Sequence, residues 1–287
     1  MIANEEFVLS APRASHGTLS LTRKEFEFFC ELIHDHAGID IASDKVLMVE
    51  GRLSKRLRAL GLSTFAEYGQ YLKGHLSSKE FEFFINTLTT NKTEFFREDF
   101  HFDYLQKILA QQAKFDTAYI WSAACSSGEE VYSLAMVCEE LREVNPSFDY
   151  KILGTDIDTE HIQMSEHGIY DRAHIANLPP LYQQKYFELS GQKGCGRIRV
   201  GAQLRGHVKF RKHNLIDYQD KIPVTFNVIF VRNVLFYFNK ETTAKIVHKL
   251  VGRLEPGGLL FVSLTETLQG AEDILTCVEA SIYQKKV

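Results

Sequence analysis

Residues Tyr119 to Val137 read YIWSAACSSGEEVYSLAMV. Tyr119-Ile120-Trp121 is short, aromatic and β-branched, the composition of a buried strand. Every residue from Ser122 to Gly128 is small, which lets a ligand approach the backbone closely. From Glu129 onward Val131, Leu134, Ala135 and Cys138 recur at spacings of three and four, which marks a helix. Strand, small-residue turn and helix form the opening unit of a nucleotide-binding α/β domain, with free backbone N–H groups at a helix start beside the strand ends. The GxGxxG fingerprint is absent and Gly128 alone stands in the turn, so an ordinary strand-to-helix turn is the competing reading.

Toward the C-terminus the same grammar continues. YKILGT, Tyr150 to Thr155, is a second strand ending in Asp156. Such folds place an acid there to accept both hydroxyls of a ribose. Asp156 also suits the N-cap of the following helix, as do Asp158 and Thr159. Gly191 to Gly206 holds the alternating Arg197-Ile198-Arg199-Val200 between glycines and reads as a small hairpin excursion. Val208 to Lys212 is a third core strand, followed by Asn214-Leu215. Phe226 to Val231, FNVIFV, is apolar throughout, as a central parallel strand is, and it ends in Arg232-Asn233. A helix from Lys240 to Leu254 should end at Pro256-Gly257-Gly258. A strand from Leu259 to Leu264 follows with Glu266 at its end, and Cys277 to Gln284 reads as a last edge strand. The turn, Asp156, Asn214, Arg232-Asn233 and Glu266 therefore converge on one edge of a parallel sheet, which makes a binding crevice there.

Upstream the chain changes character. Residues 1–18 are small-residue rich and read as a loose, flexible tail. A helix is expected over Thr22 to Ala37, with Thr22 and Glu25 as a capping box. A second runs from about Ser43 to Leu60, a third starts near Thr64, and a fourth follows Ser77 and reaches Leu88. Residues 19–88 thus form an all-α domain, and 89–287 an α/β domain with a linker at 89–100 and an inserted β hairpin subdomain at about 190–207. The second helix carries Arg52, Lys55, Arg56 and Arg58. Such a run is either a solvated face or a docking surface for an acidic partner helix. In the linker, Asn91, Thr93 and Arg97 offer two hydrogen-bonding side chains and a forked donor. They face a ligand, or Thr93 caps an interdomain hinge.

A net charge of −4 over 287 residues gives no global attraction to nucleic acid or membrane. The five cysteines are scattered without a CxxC pair, which argues against a disulfide framework or a zinc knuckle and fits a reducing cytosol. No spacing makes a nucleophile of Cys125. With neither a long apolar run nor a signal peptide, a cytoplasmic protein is expected, without membrane insertion.

TTNKTEFFRE, WSAACSSGEEVYSLAM, GTDIDTEHI, VRNVLFYF and LEPGGLLFVSLTET together resemble the chemotaxis receptor methyltransferases, the CheR family, over nearly the whole chain. The resemblance implies an α/β, Rossmann-like class I methyltransferase domain that binds S-adenosylmethionine without a metal, preceded by the helical domain. It implies a monomer that methylates glutamates on the cytoplasmic helices of methyl-accepting chemoreceptors, yielding S-adenosylhomocysteine. By the same resemblance Asn91, Thr93 and Arg97 reach the cofactor and Glu130, with Glu129 as a substitute, lies near its methionyl part. Asp156 takes the ribose, Asn214 and Leu215 flank the adenine, and Arg232 and Asn233 line the cofactor. Arg97 and Tyr237 stand beside the transferred methyl. Arg52, Arg56 and Arg58 become docking residues, and the hairpin either grips a receptor tail peptide or is a bare sheet edge. Cys125 departs from the small residue usual in the family, which touches packing more than chemistry. Two readings compete: a cofactor-binding adaptor that has lost transfer, and a nicotinamide dehydrogenase, which the missing glycine fingerprint disfavours.

Overall fold

Helix-capping residues set the start of the first elements. In this computed structural model, which describes residues 19–76, 78–89, 91–111, 117–190, 196–219, 222–268 and 270–287, Thr22 and Glu25 cap each other's backbone N–H groups, and α1 spans Arg23–Ala37. The tail at 1–18, Ser77 and the opening of the excursion at 191–195 lie outside the described residues. Helix α2 spans Val46–Leu60. It begins later than Ser43 because residues 42–45 close a turn, with Lys45 N donating to Ala42 O at 3.0 Å. Thr64 and Glu67 form the capping box of α3, Phe65–Gly74, and Ser78 caps α4, Lys79–Leu88. Phe29, Phe65, Tyr68 and Phe84 are wholly or almost wholly buried and stack edge to face or tilted at the centre of this helical unit.

Two of the three arginines expected to dock a partner face inward here. Arg52 Nη1 donates to the carbonyls of Leu88 and Thr89 at 2.9 Å each, satisfying the end of α4. Arg56 pairs through both its Nε and Nη2 with Glu80, which is buried and also accepts from Tyr68 Oη at 2.9 Å. Arg58 and Lys55 alone among the four basic residues are exposed. The cause is angular: Arg52 and Arg56, one turn apart, flank the buried Val49-Leu53-Leu57 stripe, whereas Lys55 and Arg58 point away from it.

A second compact unit, which takes in residues 37–39 and 91–287, carries the sheet. In chain order it contains α5 (Phe100–Gln111), β1 (Thr117–Ala123), α6 (Glu129–Val144), β2 (Asp149–Asp156), α7 (Thr159–His167), β3 (Ile169–Asp171), α8 (Pro180–Tyr186), β4 (Phe187–Leu189) and β5 (Arg197–Val200). There follow α9 (Ala202–Arg205), β6 (Val208–Lys212), β7 (Phe226–Phe230), α10 (Lys240–Val251), β8 (Leu254–Phe261), β9 (Leu275–Glu279) and β10 (Ile282–Lys285). The main sheet runs β6-β2-β1-β7-β8-β10-β9, parallel except that β10 lies antiparallel to both neighbours. Strand order turns back between β1 and β7, the switch point at which such sheets open a crevice beyond their carboxyl ends. Successive residues of β1 serve opposite faces: Ile120 packs with Val131 and Leu134 of α6, and Trp121 with Ile229 and Ile246.

Three sequence expectations change. Helix α10 stops at Val251, and Pro256-Gly257-Gly258 lies inside β8 as an irregularity between the pairs Phe226–Leu254 and Val228–Leu259. A Cβ on Gly258 would sit 3.0 Å from Asn227 O, so glycine permits the neighbouring strand to approach. The C-terminal strand is a pair, β9 and β10, turning at Ser281 with φ +58. The hairpin excursion is a three-stranded sheet, β3-β5-β4, whose outer strands come from before residue 190. The alternation in Arg197–Val200 was legible, but partners that remote in sequence leave no local signal.

Candidate active site

The turn after β1 is held open by unusual backbone. Ala124, Ser126 and Gly128 have φ of +77, +49 and +95. Ala124 N and Cys125 N both donate to Thr155 O, at 2.8 and 2.9 Å, which fastens the turn to the end of β2. At Gly128 a Cβ would meet Ser165 Oγ at 2.8 Å, so conformation and space both require glycine. Tyr170 Oη donates to Ser127 O at 2.7 Å and Ser165 Oγ to Ser126 O at 3.0 Å.

Asp156 stands beside this turn, 7% exposed. Its Oδ2 accepts from Ser126 N at 2.7 Å and its Oδ1 from Asp158 N at 2.9 Å. Burial raises its carboxyl above the ordinary value against the pull of those two amides. Each oxygen keeps a lone pair, so the group can accept two further donors, as a vicinal diol provides. The cap of α7 is Asp158, accepting from Glu160 N and His161 N, which leaves Asp156 free of capping. Asp158 Oδ2 also accepts from Asn91 Nδ2 at 2.9 Å and lies 2.6 Å from His161 Nδ1. Asn91 O accepts from Ser126 Oγ at 3.1 Å, so the linker start and the turn form one cluster. Thr93 is half-buried between Asn91 and the next turn, well before α5, and caps no helix.

The second cluster centres on Arg232, whose side chain is 1% exposed. Its Nη1 lies 3.0 Å from Glu130 Oε2, and its Nη2 lies 3.2 Å from Glu98 Oε2 and also donates to the backbone carbonyl of Arg97. Burial would raise the Glu98 carboxyl, but the bond from Ser263 and the Arg232 charge outweigh it and hold it below the ordinary value. Burial wins at Glu130, which is raised despite Arg232 and the Ser122 hydroxyl 2.7 Å from it. Phe96 and Glu98 have φ of +54 and +56. The strained turn is fixed by Phe96 N to Ser133 Oγ at 2.9 Å, by Phe95 against Tyr170 and Phe187, and by Glu98 on Arg232. Arg97 sits between the two strained residues, half-buried, with Nη1 on Lys92 O at 2.8 Å.

The guanidinium of Arg232 is therefore part of the frame, contrary to its expected place lining the crevice. Glu98, which joins it there, was not singled out from sequence although it ends the TTNKTEFFRE segment. Glu129 and Glu130 diverge: Glu129 is buried against Ser127 Oγ at 2.6 Å and His174, and Glu130 turns to Ser122 and Arg232. Asn214 Oδ1 accepts from Ile216 N at 3.2 Å beyond β6, and Leu215 is buried in the core cluster that includes Trp121. Asn233, at φ +58, donates from Nδ2 to Ser263 Oγ at 2.8 Å. Tyr237 closes a 3-10 turn, Leu235–Tyr237, and is half-buried. Among the described residues no group of His, Cys, Asp and Glu is placed to hold a metal, and no helix is long and apolar enough to cross a membrane.

A close backbone turn, an acid with two spare lone pairs and a neighbouring carboxylate at Glu130 suit an adenosyl group that carries a positively charged sulfur. The comparisons with known proteins point to the same ligand. The model described as the CheR methyltransferase SAM binding domain matches residues 91–284, and that of the CheR methyltransferase all-alpha domain matches 24–89. The chain is 40% identical to the chemotaxis protein methyltransferase of Salmonella typhimurium over 86% of this chain and 85% of that one. It is 38% identical to that of Escherichia coli, with 92% of each covered, and 36% identical to chemotaxis protein methyltransferase 2 of Pseudomonas aeruginosa, over 91% of this chain and 93% of that one. With both of its units matched and its relatives aligned almost end to end, the chain belongs to the CheR family of S-adenosylmethionine-dependent methyltransferases.

Proposed function

We propose that the chain methylates the γ-carboxylate of glutamate side chains on the cytoplasmic helices of chemoreceptors, giving a methyl ester and S-adenosylhomocysteine. The relatives' names supply the chemotaxis setting. The observation that carries the acceptor is Arg97, fixed between two strained residues with its carbonyl held by Arg232. That arrangement suits a guanidinium that must meet a carboxylate at one position. Bound S-adenosylmethionine would supply a methyl on a sulfonium sulfur; an ionised carboxylate oxygen would bond to that methyl carbon as its bond to sulfur breaks, leaving the thioether of S-adenosylhomocysteine, with no proton transfer. A glutamate with a pKa of about 4.3 is already ionised at neutral pH, so the protein needs no general base.

The work left to this chain is binding, alignment and exclusion of water. Asp156 is suited to the ribose hydroxyls, and Asn91 and Thr93 border the same turn. Glu130 balances positive charge near the methionyl part, and Asn214 and Leu215 flank the adenine. Asn233 lines the crevice, with Arg232 holding Glu130 and the Arg97 backbone behind it. Arg97 and Tyr237 position the acceptor carboxylate by a forked and a hydroxyl hydrogen bond. Too tight a grip from Arg97 would stabilise the ground state and slow transfer, so its contact is a positioning one. Receptor docking falls to the exposed Lys55 and Arg58 on α2. A receptor tail peptide would add a strand to the small β3-β5-β4 sheet.

Transfer of labelled methyl to receptor-containing membranes, counted as methanol released by base, tests the reading. Released label is expected. Label that stays on the receptor through base treatment would rule out a carboxyl ester, and binding of S-adenosylhomocysteine with no transfer would favour the adaptor.

A further inference from the structure

Five polar strand ends reach the crevice edge, and the reading above gives no part to the fifth, Glu266, which follows β8. Glu266 is 6% exposed. Its carboxylate is filled by backbone. Oε2 accepts from Asn233 N at 3.0 Å and Ser263 N at 2.9 Å, and Oε1 from Val234 N at 2.9 Å and Leu235 N at 2.8 Å. With two donors on each oxygen it has little capacity left to act as a base or to take a ligand. What it fixes is geometry. Three of its four donors are consecutive, residues 233–235, and lead from the end of β7 into the 3-10 turn that carries Tyr237. The fourth, Ser263, lies two residues past the end of β8.

The backbone between these points would not hold itself. Asn233 stands at φ +58, a conformation that non-glycine residues keep only where their surroundings impose it. Tyr237 N bonds Val234 O at 3.1 Å and Phe238 N bonds Leu235 O at 3.1 Å. The 3-10 turn is thus tied to two of the four residues whose N–H groups Glu266 binds, and any shift at Val234 and Leu235 carries Tyr237 with it.

We propose that Glu266 is a positioning residue for methyl transfer: by clamping residues 233–235 to the segment just past β8 it aims Tyr237 at the acceptor carboxylate. The inference rests on the acceptor-side reading of Tyr237. Glu266→Gln keeps the shape but turns one acceptor oxygen into an NH2 group facing two N–H donors, which lose their partner. Glu266→Asp keeps both acceptors on a shorter stem.

The test is a double-mutant cycle with Tyr237→Phe, alongside amide exchange at Val234 and Leu235. Glu266→Gln should lower kcat tenfold or more while the affinity for S-adenosylhomocysteine stays within twofold, with Glu266→Asp recovering part of the loss. On the Tyr237→Phe background the same change should cost less than twofold. Equal losses on both backgrounds would overturn the proposal, as would a fall in cofactor affinity matching the fall in kcat. Amide exchange at Val234 and Leu235 should speed up in Glu266→Gln, and unchanged exchange would remove the clamp whatever the acceptor is. If Glu266→Gln does not fold, Glu266→Asp carries the same cycle. Absence of base-labile methyl from the wild-type enzyme is a different failure: it defeats the glutamate reading and leaves the exchange result to decide the clamp.

Discussion

At the scale of single residues, the two clusters make separable demands. Asp156 is proposed to hold the cofactor and Arg97 the acceptor, so their variants should fail differently. Asp156→Ala removes the acceptor of two hydroxyl bonds, and bonds to a charged group contribute roughly 1.5–3 kcal/mol each. Titration calorimetry should find S-adenosylhomocysteine bound at least tenfold more weakly, and an unchanged affinity would take the ribose away from Asp156. Arg97→Ala should lower kcat well beyond any change in cofactor affinity, and Tyr237→Phe should keep cofactor binding intact. Equal loss of kcat and affinity in Arg97→Ala would make it a cofactor clamp instead. Most of this neighbourhood was legible because strand ends announce themselves: Asp156 and Arg232-Asn233 follow apolar runs. What sequence hid was which way each side chain turns. Glu129 and Glu130 are adjacent and alike, yet one packs on Ser127 and the other on Arg232. Glu98 took part in no periodic pattern, and only the left-handed backbone at Phe96 and Glu98 brings its carboxylate to Arg232.

Elements impose their own requirements. Gly128 begins α6 at φ +95 with Ser165 of α7 against it. Gly128→Ala should destabilise the protein by roughly 1–3 kcal/mol, read as a lower urea midpoint at unchanged slope. Retained stability would mean that the turn can relax without its glycine. The cap of α7 makes a pH-dependent contribution. Burial would raise Asp158, but the bond from His161 and the backbone amides outweigh it and leave it below its ordinary value of 3.8. The bond from Asp158 raises His161 above its ordinary value of 6.5 despite burial. A raised histidine stabilises the fold fully below its unfolded pKa, and that stability is lost as pH climbs through the folded one. A depressed carboxyl stabilises above its unfolded pKa and loses the effect as pH falls through its folded one. The pair should therefore help most between about pH 4 and 6.5 and weaken on the alkaline side of 6.5. Urea midpoints at pH 5.5 and 8.5 should differ less in His161→Gln than in the wild type. An identical difference in both would remove the pair as the cause. Chemical caps and strong period made α1 legible to both ends and α3 and α6 at their starts, whereas β1 extends over Thr117–Ala123, two residues beyond the expected Tyr119–Trp121 on each side, because Ser122 and Ala123 are small enough to read as turn. Those that failed depended on remote partners: β5 needs β3 and β4, and Pro256-Gly257-Gly258 reads as a helix stop until Asn227 O is seen packed against Gly258.

For the molecule as a whole, charge decides how a partner can be met. The chain carries a net −4, so nothing in its total charge draws it to an acidic surface. Any attraction to receptor helices must be local. The helical unit offers such a place on α2, where Leu47, Gly51, Lys55 and Arg58 are exposed along one side and Leu47 keeps 79% of its surface open. Sequence placed Arg52 and Arg56 in the same patch, because residue type says basic and only packing says inward. With those two occupied by the α4 carbonyls and Glu80, the proposed docking charge narrows to Lys55 and Arg58. Exposed charges of this kind act over about 10 Å at 0.1 M salt and change encounter more than chemistry. Lys55→Glu combined with Arg58→Glu should therefore raise KM for receptor several-fold at low ionic strength, with kcat and the affinity for S-adenosylhomocysteine unchanged. The wild-type kcat/KM should fall as salt is added, and that of the double variant should be nearly flat. If both respond to salt alike, the docking charge lies on some other surface and α2 carries a solvated face.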